Sequence, residues 1–461
     1  MTANPDFPSG PGTRLAAYAA AADFEKLPGE VRAKLIDHVV DTIGVMFAGL
    51  DVDDCVRARK AASLWGNADE ATVAGLPNRY PAPTAAFLNA LNGRIYTFDD
   101  TYEPGTMHPG SPVIGAALAM AERAHVDGKT FLSAVFAGYE TATRVARAVS
   151  PGHYAAGFHN TGTCTVFGAA AAAARILGLS GLATAEALGL AGATAAGLRQ
   201  HQLDGSMLDS AFHGARAAQS GVMVAQLRAE GVSGPPGILD GPMGFCAVMA
   251  PKSDIALLDA GLGERYEFLQ MTIKPFPNCR FVHGPVQAAL DLRSELGIDS
   301  TQIENIEIAT FHQSIEVSDR PQINSAFDVT VSHQYAISLA LAKGALPISA
   351  FSGEAGVDEA ARQLMKKVSV IHDPALEVLF PKSWPHRVTI RMKNGAEHMR
   401  LSEFPPGRVT PIPQNIVDQK FIDHSAPVLG QSRGMHALDA IRKVASCRDM
   451  AELGRVLRPQ D

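Results

Sequence analysis

Residues 157–176 read Gly-Phe-His-Asn-Thr-Gly-Thr-Cys-Thr-Val-Phe-Gly-Ala-Ala-Ala-Ala-Ala-Ala-Arg-Ile. Six consecutive alanines, Ala169 to Ala174, leave a helix with almost no side-chain bulk on any face. Such a helix must approach its neighbours closely all round, so it reads as the centre of a helical bundle. The residues flanking it agree. Apolar positions recur at helical spacing over 31–50, 83–95, 111–125 and 131–149 before it, and over 183–197 and 215–230 after it. A run rich in Gly and Pro, 233–245, interrupts the pattern. No strand alternation precedes residue 267.

Beyond that point the period changes. Residues 268–273, 303–310, 367–371 and 386–392 read as strands, and Asn394-Gly395 followed by 397–402 is a hairpin signal. Helical patterns at 284–296, 331–343 and 358–367 intervene, and helices return at 416–424, 435–444 and 450–456. The chain therefore reads as mainly α. A large all-α domain is built from both chain ends (1–266 and 405–461), with a smaller α+β lid (267–404) inserted, and the cleft between them is the default site.

At 461 residues the chain exceeds the size at which one core usually stops growing. A net charge of -7 and the lack of a basic stripe argue against nucleic acid or an anionic membrane surface as partner. The five cysteines are scattered and odd in number, which suggests free thiols in a reducing compartment. The N-terminus has neither a basic n-region nor an apolar h-region, and the apolar run 166–179 is broken by Arg175. These features point to a cytoplasmic protein.

The Gly-x-Gly-x-x-Gly, P-loop, His-Glu-x-x-His and Cys-x-x-Cys patterns do not occur. What remains is acid-base chemistry by side chains, with no metal and no cofactor expected. His159 precedes Thr161, a candidate N-cap of the alanine helix. His108 stands likewise before Ser111-Pro112, a candidate N-cap with proline at the first helical position. Helix starts attract carboxylates and disfavour protonation of a nearby imidazole. Asp99 and Asp100 lie just upstream of His108, and His213 opens another small-residue helix. In the second domain Lys274, Arg280 and His283 surround a helix start, where arginine suits a bidentate carboxylate clamp. Cys279, among them, reads as packing.

Phe98-Asp99-Asp100-Thr101 with His108-Pro109-Gly110, Gly157-Phe158-His159, Ile238-Leu239-Asp240-Gly241, Lys274-Pro275 through His283, and Ser332 with Tyr335-Ala336 resemble the MmgE/PrpD family. That family includes 2-methylcitrate dehydratase, cis-aconitate decarboxylase and iminodisuccinate epimerase. The resemblance implies a homodimer, catalysis without metal or organic cofactor, and a small di- or tricarboxylate as substrate. On it, His159, His108, Asp100, Lys274 and Tyr335 are the catalytic set, with Asp100 orienting His108 and Tyr335 giving a polar contact from the lid. Thr101, Arg280, His283, His213 and Ser206 bind substrate.

Two departures from the family pattern steer the reading. The stretch before His213 offers Asp209 or Ser210 where relatives often carry lysine. Thr97 and Cys279 stand where the decarboxylases have aspartate and histidine. Dehydration of a hydroxy di- or tricarboxylate is the first expectation. Epimerisation of an amino- or imino-dicarboxylate follows, then decarboxylation of cis-aconitate, then a non-catalytic helical binding protein.

Overall fold

The computed structural model describes residues 10–250, 252–353 and 356–459, without the side chain of Asp209. The substitution considered at Asp209 thus lies outside the described residues. Helix covers 59% of the chain and strand 8%, so the class is mainly α. No described helix is long and apolar enough to cross a membrane.

The alanine helix, Thr165–Ile176, lies at the centre with Ala169 to Ala174 fully buried. Helices Gly110–Arg123, Gly128–Val149, Gly181–Gly192 and Met207–Ala229 pack around it. The contacts approach backbone distance. A Cβ on Gly138 would sit 2.9 Å from the Gly168 carbonyl oxygen, and one on Gly221 would sit 2.6 Å from the backbone of Ala169 and Ala170. Small residues are therefore required on both sides of each crossing.

The far end of the chain packs on the same body. Helix Gln414–Leu429 lies on Gly29–Ala48, where a Cβ on Gly44 would meet the Phe421 Cα at 3.0 Å. Helix Met450–Val456 sits against Glu122, and the Leu457 carbonyl accepts from the Gly75 N–H.

Three short strands, β1 (Ala71–Thr72), β2 (Arg79–Tyr80) and β3 (Thr101–Tyr102), lie within the stretch read as free of strand. Two residues carry no alternation, so only their partners reveal them. β3 pairs with β4 (Met271–Thr272), which ties the helical body to the segment leading into the sheet. That segment, 268–273, was expected as one strand; its first part is the 3-10 turn Glu267–Gln270.

The sheet has the order β6-β5-β7-β8, with β5 (Ile303–Thr310) parallel to β6 (Val368–His372) and antiparallel to β7 (His386–Met392). β8 (Glu397–Ser402) pairs with β7. Val286, Leu292, Ile337 and Leu341 from helices His283–Leu296 and His333–Lys343 bury Ile306, Ile308, Val388 and Ile390. Residues two apart on a strand share a face, which is why these isoleucines line one side. The Asn394-Gly395 signal is met by a three-residue loop. The Gly395 N–H donates to the Met392 carbonyl at 2.9 Å, and Gly395 supplies φ +85°.

Candidate active site

The loop after helix Ala82–Arg94 places the first histidine. Thr97 adopts φ +53° and returns its N–H to the Arg94 carbonyl. Tyr102 and Met107 pair across a tight turn, which brings His108 back beside Asp100. Asp100 is fully buried and its carboxylate points into the helical body, away from His108. It accepts from the Gly110 N–H at 2.8 Å, the Tyr139 hydroxyl at 2.5 Å and His38 Nδ1 at 2.7 Å. A Cβ on Gly110 would lie 2.6 Å from Asp100 Oδ1, so glycine is needed there. The expected orienting role of Asp100 passes to its backbone: His108 Nδ1 lies 2.9 Å from the Asp100 carbonyl oxygen.

A carbonyl can only accept, so His108 carries its proton on Nδ1 and leaves a lone pair on Nε2. Thr101 Oγ1 sits 3.2 Å from Nδ1, and the His108 N–H donates to Thr161 Oγ1. Burial, reinforced by the Arg94 and Lys274 cations, holds this imidazole well below its ordinary pKa. It is neutral at physiological pH.

His159 is itself the N-cap of a short helix, Asn160–Thr163, that runs into the alanine helix; Thr161, the expected cap, lies inside it. Ser111 is likewise inside its helix, whose N-cap is Pro109. His159 Nδ1 lies 2.8 Å from His213 Nδ1. His213 stands in the second turn of Met207–Ala229, because that helix starts six residues before it and not at it.

A third ring, His201, completes a cluster with centroid separations of 4.9 to 5.3 Å. Its Nδ1 donates to the Leu198 carbonyl at 2.9 Å. One nitrogen from each ring lies within 4.8 Å of the others, a grouping able to hold a metal ion. Burial first, then the neighbouring imidazoles, keeps His159 well below the ordinary imidazole value.

His108, His159, His201, Thr101, Arg94, Ser210, Cys279 and Arg280 border one cavity of about 60 Å³. A second cavity of about 770 Å³ adjoins it across Thr106, Tyr154 and Trp384.

The cations are mostly engaged. Arg94 Nη1 donates to Asp99 at 2.9 Å. Lys274 Nζ donates to the Thr97 carbonyl at 2.6 Å, and burial pulls it down to about 7. It stands behind Thr97 and does not line the cavity. Arg280 Nε donates to Glu103 at 2.8 Å, while its buried Nη2 has no partner among the described residues. His283 donates from Nε2 to the Asn278 carbonyl and faces Arg280 with Nδ1. It therefore positions the guanidinium and does not border the cavity.

Tyr335 and Ser206 also lie off the cavity lining. The Tyr335 hydroxyl donates to the Ala350 carbonyl inside a separate lid core with Leu339 and Phe351, so the contact expected from it is instead internal packing. The Ser206 N–H donates to the His201 carbonyl.

Arg94 and His201 are the ionisable lining residues that the sequence reading missed. Arg94 carried one signal, a cation closing an apolar helix five residues before Asp99. His201, within Arg199-Gln200-His201-Gln202, carried none.

The MmgE/PrpD N-terminal domain profile matches residues 13–258, and the MmgE/PrpD C-terminal domain profile matches 276–445. Cis-aconitate decarboxylase of Mus musculus is 25% identical over 437 residues, covering 91% of this chain and 88% of the relative. The Homo sapiens enzyme of that name is 24% identical over 436 residues, covering 91% and 89%. That of Aspergillus terreus is 24% identical over 489 residues, covering 99% and 98%.

Proposed function

We propose, from the premise that this chain belongs to the MmgE/PrpD family, that it is an enzyme moving a proton at a carbon next to a carboxylate, and that the net reaction is dehydration of a small hydroxy acid. One observation carries the reading: two neutral imidazoles, the partly buried His108 and the buried His159, border the same small cavity as Arg280, whose Nη2 has no partner among the described residues. Arginine holds the carboxylate, and an imidazole takes the proton that the carboxylate group makes weakly acidic.

His159 takes that proton on Nε2, because Nδ1 is engaged with His213, which shares the resulting charge. The electron pair of the C–H bond becomes the C=C bond, hydroxide departs from the neighbouring carbon, and the proton just removed converts it to water. His108 Nε2 accepts from the departing hydroxyl group and orients it.

Dehydration is favoured over its rivals by proton bookkeeping. It neither consumes nor releases a proton, so both rings can begin neutral. Two-base epimerisation needs one ring to begin protonated, and decarboxylation consumes a proton at carbon. Depressed imidazole pKa values work against both.

Proton NMR in deuterated water with a panel of hydroxy di- and tricarboxylates tests the reading. Loss of water is expected, and it should fall by about a hundredfold or more in His159→Ala. Release of carbon dioxide, or α-proton exchange without net change, would replace dehydration by decarboxylation or epimerisation. No turnover of any acid, with His159→Ala indistinguishable, would leave a binding protein.

A further inference from the structure

We propose that His159, His201 and His213 form a binding site for one divalent transition-metal ion of the zinc class, and that an ion bound there silences the proton transfer assigned to His159. The three rings come from separate elements: the cap of the Asn160–Thr163 helix, the short helix Gln200–Asp204 and the second turn of Met207–Ala229. Two of these backbones are held by neighbouring segments, with the His159 N–H on the Gly197 carbonyl and the Ser206 N–H on the His201 carbonyl. One ring nitrogen from each of the three converges within 4.8 Å of the others.

The donor set selects the metal. Imidazole nitrogen suits zinc, cobalt, nickel and copper, whereas magnesium and calcium require oxygen. A tetrahedral ion at Zn–N distances of about 2.0–2.1 Å spaces its ligand atoms about 3.3 Å apart. The His159 and His213 nitrogens stand 2.8 Å apart, so small ring rotations open that pair while His201 closes in. The Leu198 carbonyl holds the His201 Nδ1–H, which is the outer-shell contact that orients metal-bound histidines. The adjoining cavity leaves room for water or substrate at a fourth position.

The consequence for catalysis follows from the tautomer. A metal on His159 Nδ1 occupies that lone pair, so the single proton of the neutral ring must reside on Nε2. The atom that would accept the substrate proton is then already protonated. Turnover stops without any change in fold.

The effect on rate rests on the acid-base reading, whereas the binding itself does not. CoCl2 titration of the full chain, followed by visible absorption, should show one nitrogen-ligated ion per chain. His201→Gln and His213→Gln should each weaken binding by at least about the 10- to 100-fold that outer-shell partners cost. His372→Gln, a partly exposed histidine paired with Glu377 outside the cavity, should leave it unchanged.

Anomalous scattering at the zinc edge from wild-type crystals soaked in ZnCl2 needs no variant, and should place the ion among the three rings. No binding, binding equal in the His201 and His213 variants, or a scattering peak elsewhere would overturn the site. With a substrate in hand, ZnCl2 should abolish turnover and a chelator should restore it. Turnover that zinc leaves unchanged or raises would overturn the silencing while leaving the binding result to stand.

Discussion

Lys420→Met tests how the far end of the chain holds the candidate site. Lys420 lies on helix Gln414–Leu429, yet its buried ammonium forms an ion pair with Asp41 at 2.7 Å. It also donates to the Phe98 carbonyl at 2.9 Å and the Lys274 carbonyl at 3.1 Å, and lies 3.6 Å from the centre of the Phe98 ring. Methionine fills the stem of the side chain but removes the charge. Breaking a buried pair by removing one partner costs about 3–5 kcal/mol, because the other charge is left uncompensated.

The cost should depend on pH, and the sign follows from Asp41. Burial raises the Asp41 carboxyl above its ordinary range, and Lys420 is the largest influence lowering it. Without Lys420 it rises further. A carboxyl whose pKa is higher folded than unfolded favours the folded state fully below the unfolded value of about 3.9. That contribution is lost as pH rises through the folded value. The deficit of the variant should therefore be widest near pH 8 and shrink towards pH 5.

Urea unfolding followed by circular dichroism at both pH values measures this, and Asp41→Asn combined with Lys420→Met should recover most of the loss. A deficit below about 1 kcal/mol, one that does not change with pH, or a double variant no better than the single one would refute the argument. Because Lys420 holds backbone on both sides of the site, kcat/KM should fall in the folded variant as well.

The remaining expectations concern the site and the core. His108→Gln should slow turnover by about 10²- to 10⁴-fold. In the wild type, both imidazoles are active when neutral and are held well below their ordinary value. The acid limb of kcat/KM should therefore lie below about pH 6, and a limb centred at about 6.5 or higher would contradict the burial argument. Arg280→Lys keeps the charge but loses the fork that meets both Glu103 and the cavity. One charged hydrogen bond of about 1.5–3 kcal/mol predicts a KM raised ten- to a hundredfold, with kcat little changed, in steady-state kinetics. Gly138→Ala places a methyl 2.6 Å from Val113 Cγ1 and 2.9 Å from the Gly168 carbonyl oxygen. It should cost about 1–3 kcal/mol in the same unfolding assay while leaving KM unchanged.

Which features were legible in the sequence depends on how local their causes are. The alanine run specified a central helix because side-chain size is a property of the sequence, and β5, β7 and β8 were readable because alternation and the Asn394-Gly395 turn lie within a few residues of one another. His108 and His159 were singled out by their matching positions before helices, and both border one cavity.

What the sequence alone determined is therefore the long helices, the strands of the four-stranded sheet and the kind of chemistry the side chains offer, while the two-residue strands β1 to β3 were left unread. Tertiary structure decided where each side chain points. Asp100 turns its carboxylate to His38 and Tyr139 and gives only its carbonyl to His108. Tyr335 closes a lid core, Arg94 and His201 join the lining, and Lys420 reaches the Phe98 carbonyl from 322 residues away. Periodicity records which face of a segment is buried. The direction of a polar side chain is set by the partners that satisfy it, and those partners come from segments brought together only by packing.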